Sequence, residues 1–393
     1  MRIAIDGRAL QSTPRSGVGQ YTYHLLRALF ELDRVNEYVV WYNAAGKLSV
    51  PEFSEYPNAR VYHTRWPNKA LNVGMKVFGA PTPPNLPSGR GGNRIVSPPL
   101  RGGVRGGLDI FFMPNLNFIA LPSRTKLILT IHDLSFIHFP EHFSLKSRLW
   151  HRAIGPRALL KRADHIIAVS RHTKDDLMET YGIPPKKISV IYPGGGVNSS
   201  QSTVHIKTKT VNCEPMTDDF ILYFGALEPR KNIEGLIAAY EALKPREQLW
   251  IAGLATPYTK RLKKRIAQSK LRERIRLIEN PTEEQKIDLY AGARLFVYPS
   301  FYEGFGFPPL EAMAAGVPVV ASSASSVPEI CGNGAVLVSP WKTDEIAAGM
   351  RVLLEDNEVR RHYIEAGYVR AQEFSWQKSA QKMLDTFRAW SML

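Results

Sequence analysis

Ser300–Val320, SFYEGFGFPPLEAMAAGVPVV, is the stretch on which the fold turns. It follows the β-rich run RLFVYPS (294–300) and leads into VPVVAS (317–322), so a strand, a glycine loop, a helix and a second strand succeed one another within about thirty residues. Gly304 and Gly306 permit a tight loop whose backbone N–H groups can face a phosphate. Pro308 and Pro309 preset the first turn of the helix, and Gly316 ends it. The helix start is a predicted anion site, with Glu303 in the loop and Glu311 in the first turns positioned to accept from sugar and ribose hydroxyls.

Reading outward, the same alternation repeats. Before this stretch come FILYFG (220–225), a helix over 232–243, QLWIAG (248–253), a helix over 257–269, RIRLIEN (274–280) and a helix over 282–291. After it come GAVLVS (334–339) and a final helical region. The first half has RIAID (2–6), a helix from about Gly17 to Leu32, EYVVWY (37–42), DIFFM (109–113) and KLILTIHD (126–133). A helical region over 144–162, DHIIAVS (164–170), a helix with Ser170 as its N-cap and KISVIYP (187–193) complete that half. Strands alternating with helices predict parallel sheets covered on both faces, an α/β protein of two doubly wound domains around one central cleft.

The predicted boundaries are an N-terminal domain over 1–198, a linker over 199–216, a C-terminal domain over 217–375 and a terminal helix over 376–393. Within the first domain, 80–107 (APTPPNLPSGRGGNRIVSPPLRGGVRGG) has no acidic residue and too little apolar content to bury a core. It reads as a disordered surface insertion, and it lacks the interleaved aromatics that stack single-stranded RNA.

The composition is globular, with 44% hydrophobic and 22% charged residues. Two cysteines, Cys213 and Cys331, give no disulfide framework and no metal-ligand spacing. With no signal-like N-terminus and no apolar run long enough to span a bilayer, the expected location is cytoplasmic. A formal charge of +15 favours anionic partners. Runs such as KSRLWHR and KRLKKRIAQSKLRERIR suit solvated helix faces, and beyond that peripheral contact with an anionic membrane; nucleic acid is the lesser candidate.

A second constellation, YFGALEPRKN (223–232), follows the first strand of the second half. Arg230 and Lys231 stand where strand gives way to helix and can place two cations beside a diphosphate. In the first half, IHDL (131–134) brings His132 and Asp133 to the end of a buried strand, and Asp6, Gly7, Gly17 and Gly19 lie in the other first-half loops facing the cleft.

Glu303 and Glu311, with seven residues between them, resemble the E-x7-E signature of glycosyltransferase family 4, and EPRKN resembles that family's diphosphate-binding segment. The resemblance covers nearly the whole chain and implies a GT-B fold with two Rossmann-like domains, the first on the acceptor side and the second binding a nucleotide sugar. It implies a retaining reaction, with His132, Glu303, Arg230 and Lys231 as catalytic residues. The implied donor-binding set is Gly17, Gly19, Arg230, Lys231, Glu303, Gly304, Phe305, Gly306, Phe307 and Glu311; Asp6, Gly7 and Asp133 fall on the acceptor side. The sequence has no D-x-D, and no metal or cofactor is expected. Two departures stand out: GVG (17–19) is shorter than the usual glycine run, and YPGGGVNSS (192–200) lacks the aspartate frequent after that turn.

GVGQYTYHLL, IHDLSFIHFPEHFS and ALEPRKN together look most like bacterial mannosyltransferases that extend cell-surface polysaccharides from GDP-mannose on a glycan or lipid-linked acceptor. Three alternatives stay open: a UDP-sugar donor for the same reaction, a nucleotide-sugar epimerase of the same architecture, and a noncatalytic RNA-binding protein using 80–107. An epimerase would release epimerised sugar nucleotide without an acceptor. The RNA reading requires salt-sensitive binding that is lost when 80–107 is deleted.

Overall fold

A computed structural model describes residues 1–11, 16–43, 53, 55–64, 108–119, 121, 125–195 and 220–391. The 80–107 insertion and the 199–216 linker lie outside the described residues.

The first sheet holds β1 (Arg2–Asp6), β2 (Glu37–Asn43), β3 (Ala59–Thr64), β4 (Ile110–Met113), β5 (Lys126–Ile131), β6 (His165–Ala168) and β7 (Ile188–Val190), all parallel, in the order β3-β2-β1-β4-β5-β6-β7. The second holds β8 (Phe220–Phe224), β9 (Gln248–Gly253), β10 (Ile275–Glu279), β11 (Leu295–Tyr298), β12 (Val319–Ser322) and β13 (Val336–Val338), in the order β10-β9-β8-β11-β12-β13, again parallel throughout. Each order reverses direction once, between β1 and β4 and between β8 and β11, which opens a crevice at the carboxyl ends of those strands. The expected pair of doubly wound, Rossmann-like α/β domains is what the chain forms.

Period-two alternation explains why both faces are covered. Ile3, Ile5, Ile110 and Phe112 face Leu25, Leu26 and Leu29 of the helix Gly17–Leu32, whereas Ala4, Phe111, Leu127 and Leu129 face Leu159, Leu160 and Leu177 on the opposite side. The helical region expected over 144–162 is two helices, Leu145–Ile154 and Pro156–Arg162, broken where Gly155 takes a left-handed conformation at φ 67°. Edge strand β3 had no counterpart in the sequence reading. The final helical region is three helices: Thr343–Glu355, Asn357–Gln372 and Trp376–Ser391.

The last of these helices packs on the first domain. Trp376 stacks on His24 at 5.5 Å, and Phe387 meets Phe112 edge-on at 5.6 Å. The start of this helix lies against Gly194, where a Cβ would stand 2.5 Å from the Trp376 backbone nitrogen, so glycine permits the close approach. Among the described residues no helix is long and apolar enough to cross a membrane.

Candidate active site

The two switch-point loops of the second domain meet side by side. β8 ends at Phe224, and its loop runs to a single turn at Pro229–Lys231 followed by Asn232, held at φ 56°. β11 ends at Tyr298, and its loop carries Ser300–Gly306 into the helix Phe307–Ala314. Adjacent strands therefore deliver Arg230, Lys231 and Glu303 to one point.

The Lys231 ammonium donates to Glu303 Oε1 at 2.5 Å and to the Tyr298 hydroxyl at 2.9 Å, and Tyr298 donates in turn to Glu303 Oε1 at 2.9 Å. Arg230 Nη1 donates to Glu303 Oε2 at 3.2 Å and to the Tyr302 carbonyl at 2.9 Å, while its Nε reaches Glu228 at 3.0 Å. Glu303 is 5% exposed. Burial alone would raise its carboxyl, but the Lys231 and Arg230 charges more than reverse that and hold it at about 2. Burial also opposes the Arg230 charge, which Glu303 and Glu228 keep firmly protonated. Burial and the neighbouring Arg230 push the Lys231 ammonium below its usual range, with Glu303 opposing.

Two sets of donors remain unused at this point. Arg230 Nη2 has no partner among the described residues, and neither do the successive backbone N–H groups of Gly304, Phe305, Gly306 and Phe307. Pro308 and Pro309 occupy the next two helical positions and carry no N–H, so the anion-binding capacity of the helix start narrows to this run of four. Ser326 donates to the carbonyls of Glu303 and Phe305, both at 2.9 Å, and Ser325 accepts from Glu303 N at 2.8 Å; these bonds fix the loop.

Opposite the loop stands the end of β5. A Cβ on Gly304 would lie 1.8 Å from the His132 carbonyl oxygen, so at this point the two domains approach backbone to backbone. The His132 ring is packed edge-on to Tyr21 at 4.7 Å. Its Nε2 is paired with the Pro114 carbonyl at 2.8 Å; a carbonyl only accepts, so Nε2 carries the proton and Nδ1 the lone pair. Burial lowers its pKa and favours the neutral imidazole.

The remaining predicted residues fall into three groups. Glu311 sits on the helix after the loop, where Lys286 donates to Oε1 at 2.6 Å and Tyr290 to Oε2 at 2.9 Å. Phe305 is buried against Tyr192 and Phe374, and Phe307 packs on Phe305 and Trp376, so both rings serve packing. In the first domain, both Asp6 oxygens are taken by Arg8, at 2.8 Å and 2.6 Å, and Gly7 is pressed against the Trp41 carbonyl. Asp133 accepts from Ser135 N and Oγ at the start of a short helix, Ser135–His138. Gly17 and Gly19 lie in the first turn of their helix, where Ser16 accepts from Gly19 N at 3.2 Å. The geometry thus joins Arg230, Lys231, Glu303 and the 304–307 backbone to the His132 strand end, and places Asp6, Gly7, Gly17 and Gly19 in contacts of their own.

Sequence reasoning did not find Tyr302, whose hydroxyl donates to Asp176 at 2.5 Å and accepts from Leu134 N at 3.2 Å across the cleft. Nor did it find Glu329, which accepts from Arg171 N at 3.1 Å, His172 N at 2.9 Å and the Tyr192 hydroxyl at 2.9 Å. Glu329 thereby caps a first-domain helix (Arg171–Tyr181) from the second domain, beside that helix's own N-cap Ser170. Among the described residues no cluster of three or more His, Cys, Asp or Glu is arranged to hold a metal ion.

Residues 15–195 match the family model for Glycosyltransferase Family 4, and residues 206–370 match that for Glycosyl transferases group 1. The chain is 27% identical over 387 residues to O-antigen chain mannosyltransferase B of Escherichia coli, covering 95% of this chain and 96% of that protein. In fold it is similar to sucrose-phosphate synthase of Thermosynechococcus elongatus (TM-score 0.69, 19% identity, 99% of this chain and 98% of that one). It is also similar to HepE of Anabaena in complex with UDP and glucose (TM-score 0.68, 19% identity, 99% and 100%). The two family models take in most of the chain, one on each sheet, and the protein belongs to the family 4 glycosyltransferases with the GT-B fold.

Proposed function

We propose that this glycosyltransferase moves mannose from GDP-mannose, with retention of anomeric configuration and without a metal ion, to a glycan or lipid-linked acceptor in cell-surface polysaccharide synthesis at the cytoplasmic membrane face. The observation that carries the reading is the set of unused donors at one point: the N–H groups of 304–307 and Arg230 Nη2, beside Lys231. Preorganised donors of this kind suit a diphosphate that gains negative charge as its bond to the sugar breaks. In that step the bond between sugar C1 and the diphosphate oxygen breaks, the acceptor oxygen bonds to C1 on the same face, and the acceptor proton passes to the departing diphosphate. Ionised Glu303 accepts from sugar hydroxyls, Glu311 from the ribose, and His132 lines the sugar side. Near full-length similarity to an O-antigen mannosyltransferase supports mannose as the sugar.

Thermal unfolding with GDP, UDP, GDP-mannose and UDP-glucose, each with and without EDTA, tests this, because a ligand of the folded state raises its apparent stability. An EDTA-insensitive shift with the guanosine compounds is the expected result. A uridine-selective shift would move the donor to a UDP-sugar, the second reading, which the likeness to UDP-bound HepE favours. No shift with any nucleotide would remove the transferase reading of the site.

A further inference from the structure

Away from the donor loops, the first domain has a cavity of about 620 Å³ beneath the helices Leu145–Ile154 and Pro156–Arg162, walled by Phe136, Pro140, Phe143, Pro156, Ala158 and Tyr181. That is the size of a pocket that takes a small apolar ligand. Its remaining lining includes Arg148, Arg152, Arg157 and Lys161. The stretch from Phe143 to Arg162 carries six lysines and arginines and no acidic residue. Among the described residues Lys146, Arg152, Arg157 and Lys161 have no carboxylate partner on their side chains. Large apolar side chains stand exposed in the same place: Leu145 at 75%, Leu149 at 67% and Ile137 at 43%. Leu145, Leu149 and Arg152 follow one another along one helix face.

An apolar cavity, exposed leucines and unpaired cations in one patch match an anionic lipid, which has a chain for the cavity and a phosphate for the rim. We propose that this face docks on an anionic bilayer, with one lipid chain entering the cavity and its phosphate held by Arg148, Arg152, Arg157 and Lys161. The position suits a lipid-carried acceptor. The short helix Ser135–His138 is the common wall: Phe136 stacks on His151 at 4.6 Å on the cavity side, and His138 lies 5.5 Å from Tyr302 of the donor loop.

This proposal rests on the reading that the acceptor is presented at a membrane, and sedimentation of the full chain with vesicles separates the two. Binding is expected to vesicles of phosphatidylcholine with phosphatidylglycerol and not to phosphatidylcholine alone, and it should weaken as salt is raised. Arg152→Ala with Arg157→Ala should weaken it about thirtyfold, from the contribution of a basic side chain at an anionic surface. Leu145→Ser with Leu149→Ser should weaken it at least about tenfold. All four side chains concerned are on the surface, and an unchanged nucleotide-induced thermal shift confirms that each variant is folded. Equal binding to both vesicle types, or either double variant binding like the unsubstituted protein, overturns the proposal. Binding to single-stranded RNA in place of the anionic vesicles assigns the cations to RNA and also overturns it. Sugar transfer to a soluble acceptor without vesicle binding removes this proposal and leaves the transferase reading intact, while vesicle binding without any nucleotide response does the reverse.

Discussion

Gly304→Ala tests whether the backbone contact between the domains sets the geometry of the cleft. The added Cβ would stand 1.8 Å from the His132 carbonyl oxygen and 2.8 Å from Asp133 Cβ. Neither obstacle is the far end of a flexible side chain, because His132 continues a strand paired with β6 through Ile128–Ile131. A Cβ contact below 3.0 Å is not tolerated, so loop and strand end must part by about 1.2 Å or more. The retreat also disturbs Thr173, whose hydroxyl lies 3.2 Å from the Gly304 carbonyl and 3.3 Å from that of His132. A displacement of about 1 Å between groups that flank the reacting atoms costs on the order of a hundredfold in rate, or about 2.7 kcal/mol of barrier. Both sheets keep their cores, so the variant should fold and still bind nucleoside diphosphate, measured by calorimetry. Turnover, measured as nucleoside diphosphate release from saturating donor with a membrane fraction as acceptor, should fall by that factor. Turnover equal to that of the unsubstituted enzyme, with nucleotide binding retained, would refute the argument that this contact positions the cleft.

Three further predictions follow from single side chains. Lys231→Met leaves the buried Glu303 carboxylate with Arg230 as its sole cation, so stability should fall by about 3 kcal/mol in chemical denaturation, and nucleotide affinity should fall with it. Because the Glu303 carboxyl is held at about 2 when folded and near 4.5 when free, its contribution is present above about pH 4.5 and lost as pH falls towards 2; in Lys231→Met, which raises the folded value, that loss should be smaller and be complete at a higher pH. His165, whose Nε2 pairs with Ser189 Oγ at 2.8 Å, is lowered by burial to about 4 from 6.5, so its protonation opposes the fold. Stability should therefore decline as pH falls from 6.5 to 4, and His165→Gln should flatten that part of the profile followed by circular dichroism. Glu329→Ala removes the cap that the second domain places on the helix Arg171–Tyr181, which should cost about 1–2 kcal/mol in thermal unfolding and raise the small-angle scattering radius of the ligand-free protein.

Most strands were legible because they are buried on both faces and so read as continuous apolar runs, IFFM and LFVY among them. Edge strand β3 was not, since ARVYHT lies at the sheet edge with Arg60 and Val61 exposed and lacks such a run. The candidate site was legible as far as its residues are neighbours in sequence: EPRKN and the Glu303–Glu311 segment follow two strands that are adjacent in the sheet. Partners supplied from elsewhere were not. Lys286 and Tyr290 left one faint trace, a spacing of four residues that puts both on one helix face towards Glu311. Tyr302, Asp176 and Glu329 left none, because their partners lie more than a hundred residues away and belong to the other domain.

The local charge bears on how such a site discriminates. Arg230 and Lys231 are balanced by Glu303 and Glu228, so the excess positive charge of the chain is not concentrated at the donor loops. Net attraction is therefore a poor basis for the proposed diphosphate recognition, and the four successive N–H groups of 304–307 without a partner among the described residues are a better one, since directional donors select an orientation that a diffuse field cannot. The pairing of Lys231 with Glu303 need not break when a donor arrives. An ammonium has three hydrogens, of which Glu303 and Tyr298 take two, leaving the third and Arg230 Nη2 for phosphate oxygens. Glu303 then stays ionised and acts only as an acceptor, the complement of a sugar hydroxyl. Glu303→Gln would turn part of that surface into a donor and leave Lys231 facing a neutral amide, so sugar recognition should suffer more than nucleotide binding. A comparison of GDP-mannose with GDP by calorimetry reads that difference directly: loss of the sugar's increment with GDP affinity retained supports the assignment, and an equal loss for both ligands contradicts it.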